Sequence, residues 1–296
     1  MDKKVKAVCF GEVLFDKFPT HSKIGGAPLN VSLRLQSLGV NVSVISSVAN
    51  DANGKKIINH LKKAGVNTEG ISVQNEHPTG VVNVVLNDKG VASYDIAYPV
   101  AWDKIKVYES RNILMHNSDF FVYGSLACRD EVSENTLKSL LKIAAYKVFD
   151  VNLRAPYYTY DLLLDLMIEA NFIKFNDDEL FEVAAHLGSK YNSMEQTIEF
   201  IAERTKTDTI CVTKGAYGAV LYNERTFYYN SGYRVKVCDT VGSGDSFLAS
   251  VLYKIFNGEG PQVAIDFGCA VGTIVAASKG ANPILSSSKI ELFMNP

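Results

Sequence analysis

No two cysteines in this 296-residue chain are spaced as CxxC, and the five present (Cys9, Cys128, Cys211, Cys238 and Cys269) are scattered. That argues against a disulfide framework and a thiolate metal site. It leaves all five as small buried hydrophobes, reduced, in a cytoplasmic protein. The five histidines are equally dispersed and none forms HExxH, so a protein-built zinc site is not indicated. No apolar run reaches the roughly 18 residues of a membrane span. The N-terminal residues lead straight into a short apolar strand, with no signal-peptide pattern. Neither sign of charge dominates: 30 Lys and Arg face 32 Asp and Glu, a formal net charge of −2. Without a concentrated basic surface, nucleic acid is not the expected partner. Three familiar strings are also missing. Gly54-Lys55-Lys56 does not complete a Walker-type phosphate loop, no GxGxxG follows the first strand, and no GxSxG occurs.

What is present has the balance of a soluble globular protein, 47% hydrophobic and 21% charged. The length fits one large α/β domain or a large domain with a small one. Short apolar runs at 5–10, 42–48, 120–123, 147–151, 172–175 and 209–213 read as strands. Amphipathic runs at 28–38, 52–64, 132–145, 161–169 and 177–186 read as helices between them. Such alternation predicts a mainly parallel sheet with helices on both faces. Two stretches break it. Residues 13–18 follow the first strand without a helix, and 81–86 and 91–96 flank Asn87-Asp88-Lys89-Gly90 as a hairpin would. Strands inserted in this way predict a small accessory sheet. Further extended pieces are expected at 219–222, 226–229 and 235–238, followed by helices over 244–256 and 261–278.

Two glycine-bearing segments carry the chemistry. Asp239-Thr240-Val241-Gly242-Ser243-Gly244-Asp245-Ser246-Phe247 runs from an extended segment into a helix. Glycines let successive N–H groups converge, and the helix terminus adds partial positive charge, which suits a phosphate. Asp245 in the first turn could orient and deprotonate a hydroxyl, or could simply cap the helix. Gly25-Gly26-Ala27-Pro28-Leu29-Asn30 also opens a helix. Its glycines allow close approach of a ligand and Asn30 offers donor and acceptor to a sugar hydroxyl, although a loop with proline in the first turn reads the same.

Together the two segments resemble those of the ribokinase-like (PfkB-type) carbohydrate kinases. Four more stretches fall in that family's order, so the resemblance covers essentially the whole chain. They are Gly11-Glu12-Val13-Leu14-Phe15-Asp16, Asp150-Val151-Asn152-Leu153-Arg154, Asn176-Asp177-Asp178-Glu179 and Thr213-Lys214-Gly215-Ala216-Tyr217-Gly218. The resemblance implies a single Rossmann-like α/β domain with a small β-sheet lid from about 12–24 and 79–100, sometimes used as a homodimer contact. It implies ATP and Mg²⁺, a catalytic Asp245, and an anion hole from Gly242, Ser243 and Gly244. Sugar contacts are implied for Asp16, Gly25, Gly26, Asn30, Asn152 and Arg154. The nucleotide side would fall to Lys174, Asn176, Thr213, Gly215 and Gly218, with Asn176 and Glu179 acting on the metal through water. A monovalent cation, K⁺, would be sought near Asp239, Val241 and Gly280.

Gly-Glu after the first strand, combined with GGAPxN, is similar to fructokinases, which implies fructose as the acceptor. A ketodeoxygluconate, ribose or nucleoside kinase is the nearer alternative, and a catalytically silent sugar sensor the more distant one. The chain departs from the family pattern at Ala49 and Ser250, each a small residue for a small one, and at Ser93-Tyr94-Asp95-Ile96, which lacks an arginine found there in many relatives.

Overall fold

Successive residues of the first strand feed two different cores. In β1 (Lys6–Phe10), Val8 and Phe10 pack on one side and Ala7 and Cys9 on the other. The strand is buried on both faces, which is why its sequence is continuously apolar. The same split recurs in β8 (Phe120–Gly124), β10 (Phe172–Asn176) and β11 (Thr209–Thr213). The computed structural model describes residues 4–86, 92–106 and 108–295.

Between β1 and β8 lie β2 (Leu14–Lys17), β3 (Ser22–Gly25), α1 (Ala27–Ser37), β4 (Asn41–Ala49), α2 (Ala52–Lys63), β5 (Ile71–Gln74), β6 (Gly80–Leu86), β7 (Ala92–Ile96) and α3 (Glu109–His116). After β8 come α4 (Glu131–Leu141), β9 (Lys147–Asp150), α5 (Tyr160–Ile168), then β10, α6 (Asp177–His186), α7 (Met194–Thr205) and β11. The chain ends with β12 (Ala219–Asn223), β13 (Thr226–Asn230), α8 (Ser243–Phe256), α9 (Pro261–Ala276) and α10 (Ser287–Met294).

The nine-stranded sheet has the order β13-β12-β11-β10-β9-β8-β1-β4-β5. It is parallel from β5 to β11 and antiparallel through β12 and β13. Side chains of α1, α8 and α9 fill one face, and those of α4, α5, α6 and α7 the other. A phenylalanine such as Phe10, Phe121 or Phe149, fully enclosed, contributes about 1.5–3 kcal/mol by leaving water. A separate four-stranded sheet has the order β3-β2-β6-β7. This is the mainly parallel, doubly covered sheet that the alternation predicted, with the accessory sheet that its interruptions predicted, and together they match the Rossmann-like fold that the resemblance implied.

Several details differ from the sequence reading. The helix expected over 132–145 stops at Leu141, because the following residues turn the chain back into β9. Residues 235–238 join no ladder. Instead the Cys238 and Asp239 N–H groups donate to the Ala276 carbonyl at the end of α9. Cys238 is exposed, so the expectation of a buried thiol fails there, while the other four cysteines are buried. Helices α3, α7 and α10 and strands β3 and β5 were not anticipated. The turn at 87–90 lies outside the described residues. No described helix is long and apolar enough to cross a membrane.

Candidate active site

The chain leaves β1 toward β4 on one side and later returns to β8 on the other. At such a switch point an open α/β sheet leaves a crevice beyond the carboxyl ends of its strands. Those ends deliver Gly11 and Glu12 after β1, Asp150 from β9, Asn176 from β10 and Thr213 from β11. Glu12, Asp150 and Asn152 line one crevice there together with Ala27 and Pro28 of α1.

Two helix N-termini point into this region, and they are built differently. Gly26 caps α1 with φ +112°, and an added Cβ would lie 2.4 Å from the Glu12 carbonyl oxygen. Only glycine fits there. The first N–H of α1, on Ala27, donates to Glu12 Oε1 at 3.3 Å, so a protein carboxylate already occupies this helix end. Gly242 caps α8 in the left-handed region, φ +77°, and an added Cβ would lie 2.5 Å from the Ala281 Cβ. Ser243 closes the turn: its N–H donates to the Thr240 carbonyl at 3.2 Å and its hydroxyl to the Gly272 carbonyl at 2.9 Å. That leaves the N–H groups of Gly244 and Asp245 as first-turn donors with no partner inside the helix. A Cβ on Gly244 would meet only the Lys174 ammonium, 3.6 Å away.

The two tips meet. Asn30 of α1 donates through Nδ2 to Asp245 Oδ2 at 2.8 Å, across 215 residues of chain. The Asn282 amide donates to Asn30 Oδ1 at 2.8 Å and fixes which way Asn30 faces. Asp245 is pushed up to about 6, by burial first and then by the neighbouring Asp150 charge; Asn30, Lys174 and Arg154 pull the other way. Lys174 is buried and pairs with Asp150 at 3.0 Å. Burial alone would lower the Lys174 pKa, but Asp150, Glu179 and Asp245 outweigh it and raise it, so the lysine keeps its charge beside the α8 tip. Burial also pushes Glu12 up to about 7. Glu12 Oε2 and Asp150 Oδ2 are buried without a hydrogen-bond partner among the described residues. Two stranded acceptors at one crevice suit a ligand rich in hydroxyl donors.

Asp16 and Arg154 stand on the same side. Asp16 is raised by burial and held back by Lys23 and Arg154, and the Arg154 charge also reaches Glu12 and Asp245. A Cβ on Gly25 would lie 2.5 Å from Asp16 Oδ2, so a larger residue there would displace the Asp16 carboxylate. Asn152 takes φ +38°, turning the segment between Asp150 and Arg154. Gly215 and Gly218 both take positive φ in the loop after β11, where the Lys214 N–H donates to the Gly218 carbonyl at 2.8 Å. Thr213 is the register partner of Asn176, so both sit at one end of adjacent strands.

Asn176 and Glu179 form a reciprocal cap on α6: each side chain accepts the other's N–H at 2.8 Å. Glu179 Oε1 also accepts from the Leu153 N–H at 3.0 Å. No cluster of three His, Cys, Asp or Glu able to hold a metal ion occurs among the described residues. Asn176 Oδ1 and both Glu179 oxygens already accept backbone N–H groups, so the pair suits a magnesium ion reached through water and phosphates. Asp239, Val241 and Gly280 do come together, since Asp239 accepts from the Val241 N–H at 3.1 Å and the Gly280 N–H at 3.3 Å. However, Lys23 Nζ is 2.9 Å from Asp239 Oδ2. This carboxylate offers a further cation no uncompensated charge, so the donor set does not fit K⁺ as it stands.

Sequence reasoning quoted Glu12 and Asp150 inside motifs but gave neither a place in the site, and missed Lys23 and Asn282 altogether. Glu12 could have been flagged as a carboxylate directly after a buried strand. Nothing local marks Lys23 or Asn282.

A doubly covered parallel sheet with its crevice at the switch point and a small separate sheet beside it is the ribokinase-like fold. The sequence pattern of the pfkB family carbohydrate kinases matches residues 3–288, and the chain belongs to that family. Among curated proteins it is 28% identical to the probable fructokinase-5 of Arabidopsis thaliana over 94% of this chain and 93% of that one. Its fold matches a double-mutant fructokinase from Vibrio cholerae O395, solved bound to fructose, ADP and potassium ion, with TM-score 0.85, 20% identity and full coverage of both chains. It matches the 2-dehydro-3-deoxygluconokinase of Thermotoga maritima with the same TM-score, 19% identity and 99% of each chain covered.

Proposed function

We propose that this carbohydrate kinase transfers the γ-phosphoryl group of ATP to the 6-hydroxyl of fructose, with Asp245 as the catalytic base. One observation carries the reading: a carboxylate in the first turn of an uncapped glycine-lined helix, held at 2.8 Å by an asparagine from the other glycine loop. A carboxylate next to an anion cradle is costly unless it has a task, and orienting a hydroxyl is such a task.

The sugar lies between the small sheet and the strand ends, contacted by Asp16, the Gly25-Gly26 turn, Asn30, Asn152 and Arg154. The nucleotide lies along Lys174, Asn176, Thr213, Gly215 and Gly218. The small sheet, residues about 12–24 and 79–100, closes as a lid and excludes water, so the sugar oxygen is the acceptor. That oxygen bonds to the γ-phosphorus, the bond to the β-phosphate oxygen breaks, and ADP leaves. Asp245 accepts the hydroxyl proton, while the Gly244 and Asp245 N–H groups and Lys174 hold the charge of the transferring group. The Gly242-Ser243 turn sets their direction. Mg²⁺, when bound, neutralises the nucleotide phosphates. Asn176 and Glu179 would act on it through water. A hydroxyl is far less acidic than a carboxyl, so the proton moves late and most of the acceleration is positioning.

Fructose is supported by the Gly-Glu and GGAPLN text and by relatives named as fructokinases. Unpaired cysteines support a cytoplasmic enzyme, and the edge positions of β3 and β7 in the small sheet, among the described residues, support a homodimer contact. An acceptor panel with coupled ADP detection tests the reading. Fructose should give the highest kcat/KM. A preference for ketodeoxygluconate, ribose or a nucleoside would replace the substrate, and binding without product from any sugar would make the protein a sensor.

A further inference from the structure

Asp239 sits three residues before the cap of α8 and braces the loop that leads into it. Its Oδ1 accepts from Val241, and its Oδ2 accepts from Gly280 and from Lys23. The two N–H groups tie the two sides of the loop together around one carboxylate, whose full charge then needs a full counter-charge. That counter-charge is an ammonium, and it is delivered from a different part of the molecule. Lys23 lies on β3 of the small sheet, opposite Asp16 in the β2–β3 register. Its ammonium also lies 5.5 Å from the Phe18 ring centroid, which helps hold the side chain extended toward Asp239.

We propose that Lys23 is the resident cation of this site: its ammonium neutralises Asp239 in place of a monovalent metal ion and couples the small sheet to the anion-binding tip of α8. The inference deepens the kinase reading and rests on it for the identity of the anion. Lys23 is a positioning residue. It acts on the transferring group through Asp239 and the loop, and it faces the acceptor side through Asp16. The pair is partly open to solvent, 38% and 20% exposed at the two side chains, so an ion from solution can reach Asp239 once the ammonium is removed.

The test compares the wild type, Lys23→Met and Lys23→Arg at constant ionic strength, in choline chloride and in potassium or ammonium chloride. ADP affinity is measured by calorimetry and the thermal midpoint by scanning; neither needs a sugar. The methionine keeps the stem over Phe18 and removes only the charge. Wild type and Lys23→Arg should bind ADP within about twofold equally in all salts, while Lys23→Met should be about tenfold weaker in choline and recover most of that in potassium or ammonium. Its thermal midpoint should rise with potassium where the wild type's does not. A wild type whose ADP affinity itself rises about tenfold with potassium overturns the proposal. So does a Lys23→Met variant that is unaffected, or weakened with no recovery in any salt. If ADP binds the wild type in no salt, the kinase reading falls, and the thermal midpoints still decide the role of Lys23.

Discussion

The N-termini of α1 and α8 have the same ingredients, a positive-φ glycine cap and a neighbouring glycine, yet they end differently. At α1 the helix terminus is satisfied from within, by the Glu12 carboxylate on the Ala27 N–H. At α8 the turn consumes only the Ser243 N–H, and a charged lysine stands beside the remaining donors. A helix end whose first N–H is already taken by a buried carboxyl group has little left for an anion, whereas an open one beside an ammonium is an anion site. The α1 tip is thus a scaffold that presents Asn30, and the α8 tip is the place for phosphate. Glycine content alone does not separate the two; the origin of the counter-charge does.

The largest effect tests the α8 side. Asp245→Ala should lower kcat by about 10²–10⁴ while leaving sugar binding largely intact. In the wild type, kcat/KM should fall as pH drops through about 6, because the base must be ionised. In Asp245→Asn that limb should disappear from whatever activity remains. Near-normal turnover in Asp245→Ala would take the residue out of the mechanism.

Next come matched glycine substitutions. At Gly244 there is room for a methyl group but it would stand where the phosphate is held, so Gly244→Ala should cost about 10–100-fold in kcat/KM for ATP at an unchanged thermal midpoint. At Gly26 the methyl group has no room and φ is left-handed, so Gly26→Ala should lose on the order of 1–3 kcal/mol of stability in denaturant unfolding. If the two variants exchanged phenotypes, the comparison would be reversed.

The smallest effect belongs to Glu12. Its folded pKa is raised to about 7, above the ordinary carboxylate value, so the native state holds this proton more tightly than the unfolded chain does. Its contribution is favourable in acid and is lost as pH rises through about 5 to 7. Glu12→Gln should therefore gain stability relative to the wild type as pH rises from 5 to 8, by on the order of 1–3 kcal/mol at most. Urea midpoints of the two proteins at both pH values check this, and a Glu12→Gln variant that gains nothing relative to the wild type between pH 5 and pH 8, or loses, would contradict the assignment.

Much of this was legible in the sequence because the chemistry is written in contiguous strings. A strand that must be buried on both faces is apolar throughout, and a chain that must turn under a phosphate carries glycine, so the sheet, the accessory strands and the loops near 25 and 242 could be read locally. Contacts between distant strings could not be. Lys23 reaches Asp239 across 216 positions, and Asn282 reaches Asn30 across 252. Helix α7 was missed although Ser193 caps it and Ile198, Ile201, Ala202 and Thr205 share its buried side, because charged residues interrupt that stripe. Residues 235–238 misled in the opposite direction: valines at alternate positions suggest a strand, but here the Cys238 N–H, with that of Asp239, tethers the loop before α8 to the end of α9.

A heavy-atom anion separates the two helix tips most directly. Crystals soaked in tungstate should show anomalous density within hydrogen-bonding distance of the Gly244 and Asp245 N–H groups, near Lys174, and none at the Ala27 N–H. Density at the α1 tip with the α8 tip bare would contradict the account.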